Sequence, residues 1–543
     1  MKNKFTLLLS LILSLNSFVL NAQDKTTGKI GYKMKMSEAR HEYLNGNIRG
    51  GLLIYRELLK EFTNDAMVNY RMGECYLDLK EWSLAVEYLQ NAKNIDENVV
   101  PELYYQLGVA YHRNNQLDNA SEAFNTYLPK SKKRDREVYD VNTMLTQVDF
   151  AKKMINSPVK VEITNLGKNI NSRGGDYSPS ISADGKTLIF TSRRSDTKGG
   201  GVDKAGDYKY FEDIYLSEWD SAKGDWGKAQ PIEGKLNTEG HDASLSISPD
   251  GSQIFIYRND GKIYIGDIFV SKKRTSGSWG NPKDMEKPIN SSYFESSASL
   301  SADGNKLYFV SEREGNKNGA QGRGDIYVVE KITKSTWGEP KNLGPIINTP
   351  KDEISVFIHP DGKTLFFSSK GHLSMGGYDI FMSKLQMDGT WSKPENLGYP
   401  INTIDDDVHF ILSTDGRIGH YSTVRTDGLG ERDIYKIDLS NYDLLKGVQV
   451  NLSILKGRIS STNKDESVQG EIEFKNDKGE VVAKTNADDE GNYFITLSGN
   501  QKYSLLINAE GFESKTSEVS LPLGETTTHI QVENYQMTPV VGQ

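Results

Sequence analysis

The groups in this 543-residue chain that could do chemistry are 74 acidic residues, eight histidines and one cysteine. Their spacing argues against catalysis. The Gly-x-Ser-x-Gly turn that exposes a hydrolase serine does not occur, nor does the His-Glu-x-x-His pair of a zinc protease. His359, His409 and His420 fall in or beside alternating apolar runs, where a histidine is more often packed than metal-bound. Gly199-Gly200-Gly201 has no strand–helix unit around it, so it is not a dinucleotide or phosphate loop. The acidic stretch Asn486–Asn492 lacks the alternate-residue spacing and distant glutamate of a calcium loop, and reads as a tight turn. The expectation is a protein with no catalytic residue, no metal and no cofactor.

One carboxylate does recur. Asp213, Asp267, Asp325, Asp379 and Asp433 each open an Asp-Ile-aromatic triplet, at spacings of 54, 58, 54 and 54. A group repeated once per unit has one role per unit. Beside a glycine-rich loop, that role is to accept backbone N–H bonds and hold the loop closed. Asp-Gly recurs with the same period, at Asp184, Asp250, Asp303, Asp361 and Asp415, between alternating runs that predict a hairpin. Ser182–Phe190 has the look of a sialidase Asp-box, but that box places a residue between Asp and Gly, and a glycosidase would need paired carboxylates. Trp226, Trp279, Trp337 and Trp391, each with a proline shortly after, supply a third marker. Each unit thus holds about four short strands, the composition of a propeller blade. The fifth unit lacks its tryptophan strand, whereas Val161–Ser172 looks like the end of one. Pairing that segment with the last unit would close a ring of five blades, with six as the alternative. These units, over 159–440, resemble the PD40 (WD40-like) propeller family. Arg194, Arg313 and Arg425 follow the second strands, with Arg193, Arg258 and Lys370. They either form a patch for an anionic partner or pair with neighbouring aspartates.

A different period, about 34, runs through residues 32–134. Ala39, Gly73 and Gly108 take the small position of a first helix, and Gly51, Ala85 and Ala120 that of a second. Tyr55, Leu89 and Phe124 plug the gap. The pattern resembles the tetratricopeptide repeat, and residues 136–155 read as one more amphipathic helix that caps the array. The domain spans 32–155. Its first-helix face includes Asn69, Tyr70, Tyr104 and Tyr105, which suit the capture of a partner segment. Residues 450–535, with Gly457, Gly491-Asn492-Tyr493, Tyr503 and Glu510-Gly511-Phe512, resemble the carboxypeptidase regulatory-like domain, a transthyretin-like β-sandwich. The fold class expected is therefore multidomain: helical array, all-β five-bladed propeller, small sandwich.

Lys2, Lys4 and the apolar run Phe5–Leu20 read as a signal peptide, residues 1–22, cut between Ala22 and Gln23. That run is shorter than the ~20 residues of a membrane-spanning helix, so no transmembrane segment is expected in the mature chain. Gln23 stands where a lipoprotein needs cysteine, and Cys75 has no disulfide partner. The net charge of −9 argues against nucleic acid as a partner. The whole order resembles the periplasmic OmpA-family proteins of type IX secretion and gliding machinery. In that family a peptidoglycan-binding domain follows the sandwich. Here residues 536–543 form a tail instead, so the resemblance does not carry peptidoglycan binding over. It implies a non-catalytic scaffold in the periplasm, peripherally associated with the outer membrane, with envelope proteins as partners. A carbohydrate- or peptide-binding module for uptake, or a hydrolase, would be the alternatives.

Overall fold

The computed structural model describes residues 30–540 apart from 132–138, 205–206, 259–265, 275, 314–318, 334–335, 447–451, 465 and 523–527. The predicted signal segment, with Ala22 and Gln23, lies outside the described residues. The chain forms two compact units. One holds residues through Asp149 together with Asp203–Lys209; the other holds Phe150–Val202 and everything from Tyr210 onward. Among the described residues no helix is long and apolar enough to cross a membrane.

The first unit is built of antiparallel helix pairs: α1 (30–44) with α2 (Ile48–Glu61), α3 (Ala66–Asp78) with α4 (Trp82–Ile95), and α5 (Leu103–Arg113) with α6 (Leu117–Lys130). Within each pair one left-handed residue makes the turn, at Gly46, Lys80 and Asn115. Asn47 and Asp65 cap α2 and α3 by accepting the N–H of Gly50 and of Val68, at 3.0 and 2.9 Å. The small positions are small because the plug touches them. A Cβ on Gly73 would stand 2.5 Å from Leu89 Cγ, and one on Gly108 2.5 Å from Phe124 Cε1. Ala39, Ala85 and Ala120 are fully buried in the same continuous core. That core extends to Val141 and Val148 of α7 (Val141–Asn156), the predicted cap.

Beyond the end of α7 the described part of the second unit is β, apart from one 3-10 turn at Asp443–Leu445. Residues 162–438 form five antiparallel sheets. Four follow the chain: β2–β6 (Asp176–Ile181, Thr187–Ser192, Asp213–Asp220, Asp225–Trp226, Gln230–Pro231), β7–β10 (Asp242–Ile247, Gln253–Arg258, Asp267–Lys272, Lys283–Asp284), β11–β14 (Glu295–Leu300, Lys306–Ser311, Asp325–Glu330, Lys341–Asn342) and β15–β18 (Glu353–Ile358, Thr364–Ser369, Asp379–Lys384, Glu395–Asn396). The fifth joins β19–β21 (Val408–Leu412, Ile418–Thr423, Asp433–Asp438) to β1 (Glu162–Asn165) from 270 residues earlier, in the register Glu162↔Asp438 to Asn165↔Tyr435. The first strands pack in a cycle, β2 on β7, then β11, β15, β19 and β2 again.

Serines make that cycle close-fitting. Ser180 Oγ accepts the N–H of Ile247, Ser297 that of Val356, Ser299 that of Ile358 and Ser355 that of His409, at 2.8–3.1 Å. Each bond joins one sheet to the next, which is why alternate positions of the first strands are small and hydroxylated. In the five Asp-Gly turns only the glycine is left-handed, with φ of 68–74°, and its N–H donates back three residues, to Ser182, Ser248, Ser301, His359 and Ser413 O. This is a type I turn with a glycine bulge, not the two-residue type I′ turn, which needs both central residues left-handed. Trp226, Trp279 and Trp391 sit in cores shared by adjoining sheets.

After the ring come two four-stranded sheets that bury one core. β22 (Leu452–Ser461), β25 (Asn492–Ser498), β28 (His529–Val532) and β29 (Tyr535–Met537) form one sheet. β23 (Glu471–Lys475), β24 (Val481–Asn486), β26 (Gln501–Asn508) and β27 (Lys515–Leu521) form the other. Gly457 is required where β22 passes the last strands, since a Cβ there would stand 1.7 Å from Glu533 O. Thr496 Oγ1 donates to Pro360 O at 2.7 Å and Lys456 Nζ lies 3.7 Å from Asp184 Oδ2, so this module touches two Asp-Gly turns of the ring.

Candidate interaction sites and the carboxylates of the ring

The repeated triplet aspartates accept backbone bonds from the loops before them. Asp213 Oδ2 accepts Lys198 N (2.6 Å), Asp325 accepts Gln321 N and Gly322 N (2.7 and 3.0 Å), Asp379 accepts Met375 N (2.9 Å), and Asp433 accepts Leu429 N and Gly430 N (2.6 and 3.1 Å). Burial pushes Asp213 up to about 6. Asp267 has its loop partly in 259–265, outside the described residues.

A second set, not singled out from the sequence, is as regular. Asn171, Asn237, Asn290, Asn348 and Asn402 are buried. Each side chain accepts the N–H of the triplet isoleucine through Oδ1, at 2.8–3.0 Å: Ile434, Ile214, Ile268, Ile326 and Ile380 in turn. Each Nδ2 returns a bond to the same isoleucine's carbonyl at 2.8–3.0 Å. The next residue, Ser172, Thr238, Ser291, Thr349 or Thr403, donates its N–H to a carboxylate four positions on: Asp176, Asp242, Glu295, Glu353 or Asp407. The visible signal was Asn-Ser/Thr, three residues, then Asp/Glu, ahead of every first strand.

Those five carboxylates are fully buried, and they are where the arginines go. Arg194 Nη2 lies 2.7 Å from Asp176, Arg258 Nε 2.8 Å from Asp242, and Arg313 Nη2 3.3 Å from Glu295. The same guanidiniums donate to the carbonyls of Ile170, Leu236 and Ile289. Arg425 donates to Pro400 O and Tyr421 Oη. Arg194, Arg313 and Arg425 are thus engaged within the ring, because a buried carboxylate or carbonyl at the strand start needs a donor; they do not form a free basic patch. The fourth sheet has no arginine there: His372 Nε2 meets Ile347 O at 2.8 Å, and Lys370 lies over the Tyr378 ring. Burial pushes Glu353 and Asp407 up to about 7.

A phenol, a carboxylate and an imidazole meet at Tyr177, Glu212 and His241. Tyr177 Oη donates to Glu212 Oε1, and His241 Nδ1 lies 3.1 Å from Oε2. Burial alone would raise Glu212, but bonds from His241 and Tyr177 hold it below its ordinary value. No group of three or more His, Cys, Asp or Glu among the described residues could hold a metal.

In the helical unit the four predicted contact residues separate. Asn69 and Tyr70 are each 3% exposed, and Asn69 Nδ2 donates to Asp65 O at 2.8 Å. Their place on the inner turn of α3, against the next pair, removes them as ready contacts. Tyr105 is half-buried among Tyr139, Tyr127 and Phe124, with the Tyr139 ring at 4.4 Å. Tyr104 is reachable: its Oη donates to Glu97 at 3.1 Å, and Lys130 Nζ stands 4.6 Å from its ring. Arg40, Tyr43, Arg71 and Glu74, which no repeat position marks in the sequence, come together on the first helices. Arg71 and Arg40 share the Glu74 carboxylate at 2.6 and 3.4 Å, Arg40 lies over the Tyr43 ring at 4.6 Å, and Tyr43 donates to Asp78.

Residues 101–128 match the tetratricopeptide repeat family, and the helix pairs around them share its geometry. No curated protein matches the sequence. Among solved structures, the chain is similar to the type III secretion translocator chaperone SycD of Yersinia enterocolitica (16% identity, 22% of this chain and 85% of that one, TM-score 0.21). It is also similar to PcrH in complex with the chaperone-binding region of PopD (16%, 23% and 95%, 0.21) and to MamA of Desulfovibrio magneticus (21%, 22% and 66%, 0.21). The matched segment and its helix pairs make the first unit a tetratricopeptide-like array, and a β-rich region of many small sheets follows it.

Proposed function

We propose that this protein is a non-catalytic scaffold that holds a protein partner on the first-helix face of its helical array. The observation that carries this reading is the Arg40–Glu74–Arg71 cluster with Tyr43 beside it, with Tyr104 also reachable in the array. It combines charge with aromatic area on a rigid repeat surface, which suits recognition of a peptide segment. In the same reading the five sheets are the blades of a PD40-type propeller, closed by β1, and the last module is a transthyretin-like sandwich. Both serve as spacers and further contact surfaces. The internal engagement of every carboxylate described above supports a structural role for the ring. The array, ring and sandwich order supports placement in a bacterial envelope: signal cleaved before Gln23, periplasmic, beside an outer-membrane or secretion complex. Deleting residues 32–155 should abolish co-purification with envelope proteins while the ring still folds. Partners retained with undiminished affinity by the remaining chain would overturn the docking role. N-terminal sequencing of the mature protein should begin at Gln23.

A further inference from the structure

We infer that the array carries a second docking site, on the second helix of its first pair, for an acidic segment bearing a leucine-type side chain. A cavity of about 230 Å³ opens there between α2, the end of α3 and the start of α4. Its apolar lining is Leu52, Leu53, Leu79 and Leu84, and Leu53 is 60% exposed at its rim. Arg49 and Arg56 flank that floor. They are seven residues apart on one helix face, about 10 Å along the axis. Neither is joined to a carboxylate among the described residues. The polar partner shown for Arg56 is the Tyr76 phenol, at 2.7 Å. Glu81, at the start of α4, is the opposing lining charge, and among the described residues no ion pair ties it to either arginine.

Charge complementarity selects the occupant. On the first-helix face Arg40 and Arg71 are both paired, sharing the Glu74 carboxylate. Here two guanidiniums bracket a hydrophobic pocket, and among the described residues neither is paired with a carboxylate, so with Glu81 the lining keeps a net positive charge. A partner carboxylate could bridge to either arginine while an apolar side chain fills the cavity, so that each contact excludes water from the other. The site is distinct from the first-helix face, so it can fail while the proposed scaffold role stands.

The probe is a fluorescein-labelled peptide, acetyl-Glu-Glu-Leu-Leu-Glu-Glu-amide, titrated into the full chain and followed by anisotropy. Binding should weaken about tenfold in Arg49→Glu/Arg56→Glu, and should weaken again when Ala replaces both leucines of the peptide. It should fall as salt rises from 50 to 300 mM. Arg49→Glu alone leaves the Tyr76 bond intact and should still weaken binding several-fold with unchanged thermal unfolding. Tyr43→Ala, on the other face, should leave this peptide's affinity as it was. No saturable binding, or binding indifferent to the arginine reversals, overturns the proposal. So does binding to phosphatidylglycerol vesicles that the same reversals abolish while the peptide remains unbound, or self-association lost in Leu53→Ser without peptide binding.

Discussion

The helical array and the sheet ring both repeat a short unit, but they fasten it differently. In the array each pair touches its neighbour, and the plug of one repeat, Leu89 or Phe124, fills the notch left by a glycine in the same repeat. In the ring the same asparagine bond is made five times, and once it spans 263 positions, from Asn171 to Ile434. Stability in a one-dimensional array is close to a sum of neighbour terms. A closed ring has no ends, so opening one joint exposes two sheet edges and loosens every other joint. The lesson is that equal repeats need not share damage equally.

The largest effect expected is from the joint. Deleting residues 159–172 removes β1 and Asn171 together and should abolish the ring's cooperative unfolding, with the array's transition nearly unmoved in differential scanning calorimetry. A ring transition within a few degrees of the intact protein's would mean that closure is not cooperative. Next in size is Phe124→Ala, expected to cost about 3–5 kcal/mol. In urea titrations that loss should be confined to the array. If it also lowers the ring's midpoint, the two units are energetically coupled and the contrast weakens.

Asn171→Ala and Asn348→Ala should each cost about 2 kcal/mol, because each leaves a buried N–H unpaired and takes one of two bonds from the isoleucine carbonyl, which keeps the N–H of Leu166 or Leu343. Equal costs would show that the closing joint is as strong as an internal one. An Asn171→Ala cost below half of the other would mark it as the weak joint.

A smaller, pH-dependent effect separates the sheets among themselves. The folded-state value of Glu353 is about 7, above its ordinary 4.5, because it is buried without an arginine. The folded chain therefore keeps a proton there that the unfolded chain has lost. That contribution is complete below about 4.5 and disappears as pH rises through about 7. Asp407 has the same sign, from 3.8 to about 7. Between pH 4.5 and 7.5 the ring's melting temperature should fall relative to that of Glu353→Gln, by a few degrees. Parallel profiles for the two proteins would remove Glu353 from this role. The smallest effect is a gain: Lys80 holds φ of 59° between α3 and α4, and Lys80→Gly should stabilise the array by about 1 kcal/mol.

Much of this was legible in the residues alone. The small and plug positions of the array, the Asp-Gly turns, the triplet aspartates and the pairing of Val161–Ser172 with the last unit all follow from periodicity. A period reports which face of a helix or strand repeats, and that is a local property of the chain. The loop-holding bonds of Asp325 and Asp433 were foreseeable for the same reason, since donor and acceptor lie within four residues. Partners distant in sequence were not foreseeable. Nothing near Arg194 says that Asp176 and the Ile170 carbonyl, on a neighbouring strand and its lead-in loop, will claim its guanidinium. Nothing near Asn171 points to Ile434. Asn69 and Tyr70 have the types of contact residues, yet α3 turns them inward, and Arg40 and Arg71 meet on Glu74 only because two helices pack side by side. Residue type and spacing determined the elements and their repeat. Exposure and pairing were decided by tertiary structure, because both depend on which distant segment arrives at a side chain and displaces its water.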